Sequence, residues 1–436
     1  MKRTILLTAV LLTTISVGAQ NFGSRATFWL KPEKIRNTKS ALNKNAILNG
    51  NTNQSLTAPI GQGQSNVYFV FKSEDDVEKE LMNYTFTCTQ HSVTTQTINY
   101  PDPVAKELKR RTGAIVRYNF NYPNATGDKN YVTVIDQPND LTNIYEVIYV
   151  NDAFTELDHK KIQSYLTVKY GISLVNPANY VDSNGNQTWN NQLNTTYNNF
   201  ITGVGRSDYF GLNKLETINS IDNRLAISSE GFADNEFVFF GTNNQNTNFK
   251  AENGVELLDS SWLVQTNQKP AVTTLRFNVG QPKTTGTYQL LINQTDSSFT
   301  NNEKVLKVEG KVEDNQIVFE NVVFDTDGNG YDTFTIAHST QAKQTTKPEV
   351  VINKGAKVNA FPNPANINET VSVTYDFGKP TDLNIHVFTL DRKLVTKKEV
   401  NNIENYVFDT QFTSNGIYLI VSTYNGEVTT SRIVVK

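Results

Sequence analysis

The sequence predicts a mainly β protein built of tandem β-sandwich domains with one helix. Three observations carry this. Strand-length apolar runs recur from Ser65 to the C-terminus, Asn, Asp and Gly fill the breaks between them, and only one segment has helical spacing. The chain has 436 residues, 38% of them hydrophobic, enough for more than one packed core. A single cysteine, Cys88, excludes an intramolecular disulfide framework, so sheet packing or bound ions must hold the folds together. Within Thr85-Phe86-Thr87-Cys88-Thr89 it reads as an ordinary strand position.

At the N-terminus, Lys2 and Arg3 precede an apolar run from Ile5 to Val17, and Val17-Gly18-Ala19 has the small-x-small form of a signal peptidase site. Residues 1–19 therefore read as a signal peptide. The run is shorter than the roughly twenty apolar residues of a bilayer span, and no later run approaches that length, so no transmembrane segment is expected in the mature chain. Residues 20–64 hold a short strand at 26–30 and then a polar linker rich in Asn, Thr, Ser and Gln.

Strands follow at 67–71, 84–89, 114–118, 131–135 and 144–150, rich in β-branched and aromatic residues. Thr155 then caps a helix over 156–170, with Asp158 completing a capping box and Gly171 supplying a left-handed stop. Ile162, Tyr165, Leu166, Lys169 and Tyr170 fall on one side of it, the stripe of a helix packed on a sheet. Further strands at 224–228, 237–240, 261–265, 274–279, 288–292, 305–308, 317–324 and 333–337 make a second all-β domain over 176–338. Residues 339–356 read as a linker to a last unit, 357–436.

That last unit opens with Phe361-Pro362-Asn363-Pro364. It closes with Gly416-Ile417-Tyr418-Leu419-Ile420, an Asn425-Gly426 turn and Ser431-Arg432-Ile433-Val434-Val435-Lys436. In this order the segment resembles the type A C-terminal sorting domain of type IX secretion substrates. The resemblance implies an immunoglobulin-like sandwich, passage through the periplasm and an outer-membrane translocon, and removal of the domain by the C-terminal signal peptidase. Release, or anchoring at the outer cell surface, follows. Asp391-Arg392 stands where the family's hairpin usually has a glycine, which puts that turn type in question.

A second resemblance spans Ser65 to about Gly211, with the domain itself placed at 65–175. Residues 144–149 and 157–174 resemble the closing strand and trailing helix of concanavalin A-like, laminin-G-type domains of bacterial surface proteins. Gly203-Val204-Gly205-Arg206-Ser207-Asp208 resembles a segment that often follows them, with Ser207 in place of an acid. What this implies is a jelly roll with one trailing helix, in a secreted or surface-displayed binding or adhesion protein.

The best candidate site is Asp325-Thr326-Asp327-Gly328-Asn329-Gly330-Tyr331-Asp332. Oxygen-bearing residues at positions one, three and five with Gly at six match the first half of an EF-type calcium loop. Position twelve is Ile336 rather than a bidentate Glu, and Asp332 is placed to supply a remaining carboxylate. The expected calcium ligands are thus Asp325, Asp327, Asn329 and Asp332. A plain hairpin is the alternative, since Asp-Gly and Asn-Gly are preferred turn pairs.

Catalysis has thinner support. Glu74-Asp75-Asp76-Val77-Glu78 has the E-x-D-x-E spacing that resembles the catalytic strand of laminarinase-type glycoside hydrolases, with Glu74, Asp76 and Glu78 as nucleophile, helper and acid/base. Asp75 occupies that family's apolar slot and would face the core, so the run fits a solvated loop better. His91, His159, His338 and His386 stand in no zinc-protease motif, and His159, in the first helical turn, reads as a surface residue. No hydrolase elbow or phosphate loop is present. A net charge of −3 gives no basic footprint for nucleic acid. Trp262, and Trp189 within the Asn-rich stretch 180–197, read first as core or loop packing, with sugar stacking as the functional alternative. The sequence therefore points to an exported binding or adhesion protein without catalysis of its own, its ligand a surface glycan or extracellular polymer. A glycoside hydrolase and a structural surface or matrix component are the alternatives.

Overall fold

A computed structural model describes residues 22–30, 56–59, 63–86, 89–99, 103–105, 111–122, 131–134, 141–174, 178–252, 255–268, 271–295, 298–299, 305–339, 359–390, 393–425 and 427–436. The expected signal peptide, Cys88, Asp391, Arg392 and all of the expected linker except Ser339 lie outside the described residues. Within them the protein is mainly β, in tandem packed sheets, with one α-helix at Glu156–Tyr170.

The N-terminal unit packs a four-stranded sheet against a six-stranded one. The first has the order Phe28–Leu30, Thr142–Val150, Gly63–Ser73, Ala114–Tyr122, all antiparallel. Side chains alternate across strand Gly63–Ser73. Val67, Phe69 and Phe71 share a core with Leu81, Met82 and Val93 of the other sheet, while Tyr68 and Val70 share a different core with the helix. Burial on both faces explains why Val67-Tyr68-Phe69-Val70-Phe71 is continuously apolar.

The helix forms as its sequence signals require. Thr155 Oγ1 accepts the Asp158 N–H, Asp158 reaches back to the Thr155 N–H at 3.0 Å, and Gly171 closes the C-terminus at φ 66°. Ile162, Tyr165, Leu166 and Tyr170 are buried as the stripe predicts. Their core also holds Tyr180, Trp189, Tyr197, Ile201, Phe237 and Phe239, so it runs without a break across the boundary expected at 175/176.

The second unit is again two packed sheets. One joins Asn199–Ser207, Phe237–Thr242, Trp262–Thr266, Tyr331–Ser339 and Thr287–Asn293. The other joins Glu216–Ile218, Leu225–Ser228, Ala271–Phe277 and Gln316–Phe324. Strand Leu306–Glu313 pairs into both. Trp262, Phe277, Phe319 and Phe334 fill the space between. Strand Asn199–Ser207 was invisible to periodicity because Gly203 and Gly205 interrupt it. The glycines are required by close approach: a Cβ on Gly205 would sit 2.3 Å from Phe237 Cδ1 and 2.5 Å from the Glu236 carbonyl.

The C-terminal unit is built from long antiparallel strands, Thr370–Thr389, Leu394–Gln411, Gly416–Tyr424 and Glu427–Val435, around Val371, Val373, Ile385, Ile420 and Ile433. Its opening motif pins the last strand. Asn363 Nδ2 donates to the Arg432 carbonyl at 2.6 Å, and its Oδ1 accepts the Val434 N–H at 2.9 Å. Proline has no N–H to offer a ladder, so the Asn side chain between Pro362 and Pro364 makes the contact instead.

Candidate functional site

The Asp325–Asp332 segment closes the connection between strands Gln316–Phe324 and Tyr331–Ser339. Asp325, Gly328 and Gly330 hold left-handed backbone at φ 57°, 78° and 92°. Asp325 Oδ1 accepts the Gly330 N–H at 2.6 Å, and Asp332 Oδ2 accepts the Asp325 N–H at 2.6 Å. Asn329 donates through Nδ2 to Asp327 Oδ2 at 2.9 Å and accepts the Tyr331 N–H at 2.8 Å. Asp325 and Asp332 are buried, whereas Asp327, Asn329 and Tyr331 are exposed.

The four expected ligands thus divide into two pairs. Asp325 and Asp332 come together in the interior, where Asp332 Oδ1 has no hydrogen-bond partner among the described residues. Burial pushes the Asp332 carboxyl up to about 8, with the charges of Asp327 and Asp325 adding to the shift and the Asp325 N–H opposing it. Asp327 and Asn329 are turned toward each other and the backbone. Among the described residues no group of three or more His, Cys, Asp or Glu side chains gathers to hold a metal ion. Beside the loop lies a cleft of about 200 Å³, with Thr326, Asp327 and Gly328 on one wall and His386, Phe388 and Leu394 on the other.

The acidic run behaves as a loop. Strand Gly63–Ser73 ends before it, Asp75 Oδ1 accepts the Val77 N–H at 2.9 Å, and Val77 is 61% exposed. Glu74 pairs with Lys72, Asp76 with Arg111, and Glu78 accepts from Thr94. Glu74, Asp76 and Glu78 therefore do not line one strand face.

For the two tryptophans the structure bears out core packing, and for His159 it corrects the expectation. Trp189 and Trp262 offer no stacking face: Trp189 is 0% exposed with Nε1 donating to Asn198 Oδ1 at 3.0 Å, and Trp262 stacks on Phe334 inside the second core. His159 is not a surface residue, because the helix turns it inward against the Tyr68 hydroxyl, where burial lowers it to about 4.

Sequence reading also missed Glu146. Its buried carboxylate accepts from Tyr165 Oη at 2.9 Å, Tyr170 Oη at 2.7 Å, Lys169 Nζ at 2.6 Å and Trp29 Nε1 at 2.5 Å. Such satisfaction marks a structural latch between helix, sheet and N-terminal strand. The signal was available: one acid inside Ile144-Tyr145-Glu146-Val147-Ile148-Tyr149-Val150, opposite a helix stripe of Tyr and Lys.

The architecture is that of a multi-unit β protein ending in a C-terminal unit of long antiparallel strands. Residues 158–329 match a family described as a domain of unknown function (DUF8202), and residues 359–436 match one described as a secretion system C-terminal sorting domain. No curated protein matches the chain. Among solved structures, a superoxide reductase (neelaredoxin) from Ignicoccus hospitalis is 12% identical, over 19% of this chain and 80% of its own, with a TM-score of 0.16. A β-glucuronidase from Parabacteroides merdae is 11% identical, over 39% and 29%, with a TM-score of 0.16. A polysaccharide lyase is 11% identical, over 51% and 35%, with a TM-score of 0.19. Scores this low carry no argument. The sorting-domain match does: the chain is a type IX secretion substrate, exported to the medium or to the outer cell surface.

Proposed function

We propose that the protein is a binding or adhesion protein of the outer cell surface or its surroundings, without catalysis of its own. The observation that supports this is the order of parts, a sorting domain at 359–436 behind two mainly β units that share a continuous apolar core. The resemblance of 144–174 to laminin-G-type modules favours the same reading. A surface glycan or other extracellular polymer is the ligand class. With Trp189 and Trp262 buried, its contact is better sought at the exposed Asp327, Asn329 and Tyr331, where hydrogen-bonding groups flank an aromatic ring.

Calcium belongs to the same proposal. A hard cation at the loop would take the place of the Asp332 proton between the buried Asp332 and Asp325 carboxyl groups, and Asp327 and Asn329 would join by turning from their present partners. The test is the secreted protein on a glycan array, with and without calcium, and on polysaccharides assayed for new reducing ends. Binding without release supports the proposal. Release that vanishes in Glu74→Gln and Glu78→Gln assigns a hydrolase instead, and silence in both assays leaves a structural component. Calcium that changes neither the melting temperature nor the Tyr331 environment removes the cation.

A further inference from the structure

The C-terminal unit is seated on the second β unit. In strand Gly416–Tyr424, Tyr418 and Ile420 point into the unit's own core, so the alternating positions would ordinarily be polar. They are Leu419 and Val421, which with Phe388 form one buried cluster with Val272 and Val323 of the preceding unit, each 9% exposed or less. At the rim, strand Leu306–Glu313 pairs in parallel with Glu427–Val435 at Lys307 and Glu427. Thr430 Oγ1 lies 3.5 Å from the Asn321 carbonyl, and Arg432 lies 3.6 Å from Glu230. Two clefts, of about 200 and 130 Å³, flank the cluster and are walled by both units.

We propose that residues 359–436 are a cap that stays docked on the rest of the chain while the linker is intact and leaves when the linker is cut. Its departure uncovers Val272 and Val323, beside the loop Asp325–Asp332. This rests on reading 359–436 as the sorting domain, and on no particular ligand.

The modest size of the contact makes it reversible. Among the described residues the contact is six apolar side chains, those five and Val428, with one strand pairing, few beside the roughly 20–30 residues a side of stable complexes. While the two are joined in one chain, the cap meets its seat at an effective concentration of ~1 mM. Cutting replaces this with the concentration of the secreted protein, at ~1 µM about a thousandfold lower. A dissociation constant between the two leaves the seat filled before the cut and empty after it. The exposed Glu230–Arg432 pair adds little, so docking depends on the apolar cluster and only weakly on salt.

The test uses the full chain with one protease site inserted within 340–358, followed by small-angle scattering and size-exclusion chromatography before and after cutting at ~1 µM. The uncut protein is expected to be compact, and the cut protein to separate into two folded pieces. Phe388→Asp with Leu419→Asp should expand the uncut chain. Val272→Asp, which leaves the cap's sequence untouched, should do the same if the first variant misfolds the cap. An uncut wild-type chain as extended as these variants overturns docking, and cut pieces that stay together at ~1 µM overturn release. No secretion is read, so failure here is distinct from failure of the sorting assignment.

Discussion

Lys169 Nζ lies 2.6 Å from Glu146 Oε2 in the seam between the helix Glu156–Tyr170 and strand Thr142–Val150. The Glu146 side chain is fully buried and that of Lys169 is 14% exposed, so removing the cation strands a carboxylate away from water. Lys169→Met should cost about 3 kcal/mol in urea unfolding. Glu146→Leu combined with Lys169→Met should recover a good part of that loss. A single-variant cost below about 1 kcal/mol would show that the hydroxyl and indole donors suffice alone.

Asp332 predicts an unusual pH dependence. Folded, its carboxyl holds a proton up to about 8, whereas unfolded it releases it near the ordinary 3.8. The folded state therefore binds more protons between these values, and this group's contribution to stability falls as pH rises from 4 to 8, with a limiting slope of ~1.4 kcal/mol per unit. Asp332→Asn should stabilise the protein at pH 8, leave it nearly unchanged at pH 4, and flatten the difference curve. Equal slopes in the two proteins would exclude the assignment.

His159 acts in the opposite sense. Burial, with the Arg117 charge adding, depresses it from 6.5 to about 4, so its contribution is present above 6.5 and lost as pH falls toward 4. His159→Gln should lower the melting temperature at pH 7 and narrow its gap from wild type as pH approaches 4. A gap that stays constant across this range would rule the histidine out.

Asn363→Ala removes both hydrogen bonds to the last strand. It should destabilise the C-terminal unit by about 2 kcal/mol and leave the melting of the preceding units unchanged. Hydrogen exchange at the Val434 amide, the group that loses its acceptor, reads the effect directly.

Local signals in the chain were legible because neighbouring residues decide them. Thr155, Asp158 and Gly171 bound the helix within single residues, and strand runs such as 288–292 and 317–324 fall inside Thr287–Asn293 and Gln316–Phe324. Strand Asn199–Ser207 was hidden because its glycines answer to Phe237 and Phe239 on a partner strand, a constraint no window of sequence contains. The candidate loop was half legible: its turn residues show in sequence, but the pairing of Asp325 with Asp332 in the interior does not.

By itself the sequence determined the β class, the capped helix and the sorting domain, since periodicity, capping and motif order are properties of adjacent residues. Only the tertiary structure decided which side chains lose contact with water. Trp189, Trp262 and His159 are buried and Tyr331 is exposed because distant strands cover the first three and leave the last open. Burial depends on what packs from outside the local segment, so the face that meets a ligand, and the cap seated beside it, could be read only from the assembled sheets.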